Sequence, residues 1–154
     1  MYYHSLESPY GPLHVAFDED AYFYALTFGE LDTLHTFFPS TCLHPRALRT
    51  DLLTSLYAGE PLPIKPRGSP FKQKVWAVLQ TIPKGQTVSY EELAVRTFGH
   101  KRYTRAAASA VAQNPLAWII PCHRVVPKTG GIGQYMWGSH IKGMLLRDEQ
   151  QANS

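Results

Sequence analysis

The first 28 residues alternate between short apolar runs and polar breaks. Residues 2–6, 13–17 and 22–28 are rich in aromatic and aliphatic side chains, and Pro9-Tyr10-Gly11 and Asp18-Glu19-Asp20 between them are turn chemistry. That pattern predicts antiparallel strands. The period then changes. Residues 30–38 and 46–57 read as helices; in the second, Leu48, Leu52 and Leu56 recur at four-residue spacing and make one apolar face. Residues 59–68 carry Pro61, Pro63 and Pro66 and read as a stiff linker. The chain therefore divides into an N-terminal α/β lobe, residues 1–66, and a second domain, residues 67–154.

The second domain reads as mostly helical. Ser69 is an N-cap with Pro70 at the first helical position, and Phe71, Val75, Val78, Leu79 and Ile82 share one face until Pro83-Lys84-Gly85. Trp76 adjoins that face and is expected to pack in the core. Ser89-Tyr90-Glu91-Glu92 is a capping box, in which Ser89 accepts from the Glu92 N–H and the Glu92 side chain reaches back. That helix runs to about Thr97, and Phe98-Gly99 turns the chain. The next helix runs from about Thr104 to Ala112 and ends at Asn114-Pro115. Two short helices joined by a glycine-containing turn resemble a helix-turn-helix. A last helix starts near Ser139, with Ile141, Leu145 and Leu146 facing inward. The expected fold class is α/β (α+β): a small antiparallel-sheet lobe with helices, then a mostly helical lobe containing a helix-turn-helix.

Composition adds little until charge is mapped onto this order. The 154 residues are 44% hydrophobic and 18% charged, enough to bury a core. No apolar run approaches a membrane span, and the N-terminus lacks a basic region followed by an apolar one. Net charge is +3, yet residues 65–128 hold eleven Lys and Arg against two acids, a net of +9. A basic segment between acidic ones suits a polyanion, nucleic acid first, or a solvated basic face. The helix at 104–112 is nearly all small residues after Arg105. It either packs tightly on a neighbour or enters a narrow groove, with Arg105 as a wedge in the base stack.

Candidate chemistry centres on residues 119–126, Ile-Ile-Pro-Cys-His-Arg-Val-Val. Apolar runs flank one thiol, and Pro121 breaks regular pairing just before it. Such a turn holds a reactive side chain on rigid supports. Two cysteines, Cys42 and Cys122, make no disulfide framework, so both are expected as thiols inside a cell. His35, Cys42 and His44 lack the paired spacing of a metal site. Gly130-Gly131-Ile132-Gly133 is a tight loop without the G-K-[ST] ending of a phosphate loop.

Pro121-Cys122-His123-Arg124-Val125 resembles the active-site motif of the O6-alkylguanine-DNA alkyltransferases, also called methylated-DNA–protein-cysteine methyltransferases. Further matches keep the family's order and spacing: Phe71…Val75-Trp76, Ile82-Pro83-x-Gly85-x-Thr87-x-Ser89-Tyr90-x-Glu92-Leu93-Ala94, Arg105-Ala106, Asn114-Pro115 and Lys142…Leu145-Leu146…Glu149. They span about residues 69–149, and residues 1–28 resemble the family's variable N-terminal lobe more loosely.

The resemblance implies direct-reversal DNA repair, in which an alkyl group leaves O6 of guanine for the protein's own cysteine. Cys122 would be the acceptor, His123 would take its proton through a water, and Glu149 would orient His123. Asn114 would brace the turn, and Tyr90 would donate to guanine N3. At the DNA, the resemblance implies Tyr90, Glu91, His100, Arg105, Arg124 and Lys128, with Arg105 filling the gap left by a flipped base. Cys122 and Val125 would read the guanine amino group with their carbonyls; Tyr135, Met136 and Trp137 would wall the pocket. The implied partner is double-stranded DNA carrying O6-alkylguanine, bound in the minor groove by a monomer without cofactor, metal or membrane. The implied place is the cytoplasm, or the nucleus in a eukaryote.

Two departures matter. Tyr135-Met136-Trp137-Gly138 stands where the family often has smaller residues, so methyl is expected to be accepted and benzyl to react poorly. Gly99-His100-Lys101-Arg102 stands where a proline is usual. Three other classes remain in view. A non-catalytic alkylated-DNA binding protein would not need Cys122. A cysteine hydrolase normally keeps its histidine remote from the thiol. A transcription regulator should carry base-reading side chains where this chain has alanines.

Overall fold

The structure, a computed structural model, describes residues 1–152. The chain forms two compact units. The first is Met1–Arg67 with Pro115–Ile119, and the second is Gly68–Asn114 with Ile120 onward. The single linear boundary expected near residue 66 does not anticipate the return of residues 115–119.

In the first unit, β1 (Tyr2–Ser8), β2 (Gly11–Phe17) and β3 (Phe23–Phe28) form an antiparallel meander. A short β4 (His44–Pro45) adds in parallel to β1, giving the order β3-β2-β1-β4. Central β2 is buried from Leu13 to Phe17, because both its faces are covered. Ala16 and Ala25 pack with Leu34, Phe38 and Leu43 on one of them.

Three expectations are corrected here. Residues 30–38 form only a 3-10 helix, Leu31–Thr36, with Leu34 as its one buried residue. Thr33 Oγ1 bonds Glu30 O and Thr27 Oγ1, and local side-chain bonds of this kind compete with a regular helix. The next helix, α1 (Thr50–Ala58), starts four residues late. Arg46 N instead bonds Tyr3 O and Leu48 N bonds His4 Nδ1, so the chain stays extended along β1. The proline-rich stretch is not a free linker. Phe23 N donates to Pro63 O at 2.9 Å and Lys65 N to Phe23 O at 2.8 Å.

Residues 115–119 use the same edge of β3. Leu26 N donates to Pro115 O at 2.8 Å and Ala117 N to Leu26 O at 3.2 Å. Both segments satisfy backbone groups that an open strand edge leaves unpaired. Trp118 adopts φ 70°, a costly region for a bulky residue, with its ring among Tyr10, Phe28 and Tyr57.

The second unit is helical. The helices α2 (Pro70–Leu79), α3 (Tyr90–Phe98) and α4 (Thr104–Ala112) pack on one another. Ser69 caps α2 by accepting from Lys72 N, and Ser89 caps α3 by accepting from Glu92 N at 3.0 Å. Only that half of the expected capping box is seen, since the Glu92 carboxylate accepts from Arg96 at 3.3 Å. Trp76 is a core residue, as expected, and its indole donates to Ala110 O at 2.9 Å. Gly99 ends α3 at φ 79°, which a side chain rarely adopts. A 3-10 turn, Lys101–Tyr103, then leads into α4, capped by the His100 Nδ1 acceptor at 3.0 Å from Arg102 N.

The alanine helix packs on one face and is open on the other. Ala107, Ala110 and Val111 are buried, whereas Arg105, Ala106 and Ser109 are exposed. A two-residue strand β5 (Val88–Ser89) pairs in parallel with β6 (Val125–Val126), and α5 (Ser139–Ala152) closes the unit. The inner stripe of α5 is Lys142, Leu145 and Glu149, with Ile141 and Leu146 only half-buried. No helix among the described residues is long and apolar enough to cross a membrane.

Candidate active site

The cysteine turn is built by short-range backbone bonding. Pro121, at φ −79° and ψ 61°, is the centre of an inverse γ-turn in which Cys122 N donates to Ile120 O at 2.7 Å. Asn114 Nδ2 donates to the same carbonyl at 3.0 Å. The end of α4 thereby braces the turn. Residues Cys122–Arg124 wind into a 3-10 helix and run straight into β6, where Val125 pairs with Val88.

Cys122 is 6% exposed, at the base of a cleft of about 580 Å³. Tyr90, Asn114, Tyr135, Met136 and Trp137 line the cleft with small residues of α4. Ala108 and Ala112 keep that wall low. Gly133 is confined as well: a Cβ there would lie 2.9 Å from the Pro127 ring, and φ is 83°. Met136 is half-exposed at the cleft and Trp137 half-buried. Val125 is fully buried behind the turn.

Behind the cysteine lies a buried charge network. His123 is fully buried and its Nε2 stands 2.7 Å from Glu149 Oε1. Burial pushes the imidazole below its ordinary pKa, against the pull of Glu149, so the ring is neutral at pH 7. Glu149 is ionised: burial opposes its charge, but hydrogen bonds from His123 and Arg124 bring it down to about 2. A carboxylate can only accept, so Nε2–H donates to it and Nδ1 keeps its lone pair. Nδ1 is buried with no hydrogen-bond partner among the described residues.

The thiol itself is pushed up by burial; a hydrogen bond from Asn114, the charge of Lys142 and a hydrogen bond from Tyr135 act the other way. The Tyr90 phenol is also raised, by burial first and by Cys122 second, so it holds its proton. Lys142 is 1% exposed and its Nζ donates to Gln134 O at 3.2 Å. Burial lowers its amine to about 8, against the attraction of Cys122. Lys142 matches a family position, yet the motif match alone gives it no part in the site. The signal was present: residues 142, 145 and 149 are spaced three and four apart, one stripe of a helix.

The expected residues thus fall into groups. Cys122, Tyr90, Asn114, Tyr135, Met136 and Trp137 share the cleft, with His123 and Glu149 behind it. Arg105 is exposed in the first turn of α4, and His100 is exposed at the turn before it. Glu91 and Lys128 pair with each other at 3.2 Å. Arg124, expected at the DNA, is instead turned inward, donating to both Glu149 oxygens at 3.0 and 2.9 Å and to Ile82 O at 2.6 Å. A guanidinium satisfied by a buried carboxylate has no fork left for a phosphate. Among the described residues, no three His, Cys, Asp or Glu side chains cluster as a metal site requires.

Comparison with known proteins meets this geometry. Residues 70–151 match the model for the 6-O-methylguanine DNA methyltransferase, DNA binding domain. The chain is 51% identical over 90 residues to the bifunctional transcriptional activator/DNA repair enzyme Ada of Escherichia coli, covering 58% of this chain but only 25% of Ada. It is 33% identical to the methylated-DNA–protein-cysteine methyltransferase of Methanosarcina acetivorans, covering 97% of this chain and 98% of that protein. Among solved structures, Mycobacterium tuberculosis OGT in complex with DNA superposes with a TM-score of 0.83 at 33% identity, covering 98% of this chain and 94% of that one. With the motif, the buried His–Glu pair and the full-length match to a relative of the same size in agreement, the chain belongs to the methylated-DNA–protein-cysteine methyltransferase family.

Proposed function

We propose that this chain repairs alkylated DNA by taking the alkyl group of O6-alkylguanine onto Cys122. The observation that carries the proposal is a single cysteine in a base-sized cleft, backed by a neutral histidine held by an ionised glutamate. The second unit would both bind DNA and accept the group. The target atom is unreachable inside a duplex, so the nucleotide must leave the stack. Arg105, exposed on a helix face of small residues, would enter the minor groove and occupy the gap.

The chemistry balances without a cofactor. His123 Nδ1 takes the Cys122 proton through a water, and the thiolate sulfur attacks the alkyl carbon. The S–C bond forms as the C–O6 bond breaks, and its electron pair stays on the guanine. Tyr90, protonated and in the cleft, supplies a proton to the departing base at N3. The product thioether has no ready leaving group, so each molecule acts once. A lesion-binding protein without chemistry would have no use for this thiol. The chemistry needs a free thiol, which fits the reducing interior of a cell.

Single-turnover assay with a duplex containing O6-methylguanine should give one transferred methyl per protein and no second round. Repeated turnover, or none, would overturn the proposal. The cleft also sets alkyl range. Trp137→Gly is expected to raise the rate with O6-benzylguanine by roughly tenfold or more, leaving methyl transfer within a few-fold. Equal benzyl and methyl rates in the unmodified chain would show that Trp137 imposes no such limit.

A further inference from the structure

Arg124 donates three hydrogen bonds into the interior around the site. Its Nε and Nη2 straddle the Glu149 carboxylate, and its Nη1 reaches Ile82 O just past α2. Glu149 Oε1 accepts from Arg124 and from His123 together. The arginine side chain is 14% exposed, so this is an internal brace between the end of α2, the cysteine turn and α5.

Two physical effects follow. A carboxylate with one partner turns about its terminal bond, whereas a guanidinium fork fixes its plane. Fixing that plane fixes the direction in which Glu149 receives the His123 N–H, and so the aim of Nδ1. The second effect is electrostatic. Without Arg124, the buried carboxylate would have only His123 to compensate its charge. The imidazole would then take up a proton and lose the lone pair that receives the thiol proton.

The charged groups acting on His123 are Arg124 on its own segment, with Glu149 and Lys142 from α5. Lys142 disfavours a second cation too, but its Nζ is directed to Gln134 O. The support of Lys142 titrates, since burial lowers its amine to about 8.

We infer that Arg124 is a positioning residue for alkyl transfer, holding Glu149 so that His123 stays fixed and available as a proton acceptor. The inference rests on the alkyl-transfer reading of the site. Its test is the pH dependence of single-turnover methyl transfer, from about pH 5 to about pH 9, on saturating O6-methylguanine duplex. In Arg124→Gln the acid limb should move up by about one pH unit, above a lowered plateau. Arg124→Lys keeps the charge but not the fork. It should retain the parent limb with a plateau lowered by about tenfold.

A merely structural arginine would lower the melting temperature of Arg124→Gln and leave the limb in place, and that result overturns the inference. Should Arg124→Gln fail to fold, a parent-like plateau in Arg124→Lys overturns it instead. Failure of the parent chain to transfer methyl at all would refute the underlying reading, and this inference with it.

Discussion

Cys122→Ala is expected to bind a duplex carrying O6-methylguanine about as tightly as the parent chain and to transfer nothing. On the proposed reading, affinity would reside in the exposed basic residues of the second unit and in the cleft walls, which the substitution leaves intact. The small α4 wall and Tyr90, Tyr135 and Trp137 would still line the cleft proposed to receive an extruded base. Transfer needs a thiolate, and no other side chain lining the cleft carries a thiol; Cys42 is exposed and belongs to the first unit. The rate should fall by more than about a thousandfold, as expected when a covalent acceptor is removed and no other group takes over. Equilibrium binding measured beside single-turnover transfer separates the two effects. Loss of binding in parallel with transfer would mean that the substitution had disturbed the turn rather than the chemistry.

The second large effect is on stability as well as rate. Glu149→Ala would leave the Arg124 guanidinium and the fully buried His123 facing an unpaired site. Breaking a buried ion pair by removing one partner costs about 3–5 kcal/mol. Transfer should slow by roughly a hundredfold, since His123 loses its orientation as proton acceptor. Denaturant unfolding and single-turnover kinetics report the two separately.

The pH dependence has a definite sign. Glu149 titrates at about 2 in the folded chain against 4.5 for the unperturbed group, so its contribution is present above pH 4.5 and is lost as pH falls toward 2. His123, also depressed by burial, adds to the loss beginning below its unperturbed 6.5. The parent chain should therefore lose stability steadily in acid, and Glu149→Ala should lack the part below pH 4.5. An unchanged acid profile in Glu149→Ala would mean that the buried pair does not link stability to pH.

Local chemistry made the helices of the second unit legible. Ser69, Ser89 and Gly99 mark helix ends by bonds within a few residues, and α4 runs over the residues that its alanines and Asn114-Pro115 indicate. Longer-range effects were not legible. The return of residues 115–119 depends on Leu26, some ninety residues earlier, and nothing near Pro115 announces that pairing. The 3-10 form at Leu31–Thr36 follows from a hydroxyl network that includes Thr27, outside the segment. Arg124 misleads for another reason. An arginine beside a basic stretch reads as a DNA group until Glu149 and Ile82 are known to face it.

The central claim is that Cys122 keeps the alkyl group. The direct measurement is intact-mass spectrometry of the protein after incubation with duplex DNA containing O6-methylguanine, followed by mapping of the modified peptide. One hydrogen should be replaced by one methyl per molecule, on the peptide that contains Cys122. No gain in mass, or a methyl on the peptide that contains Cys42, would contradict it.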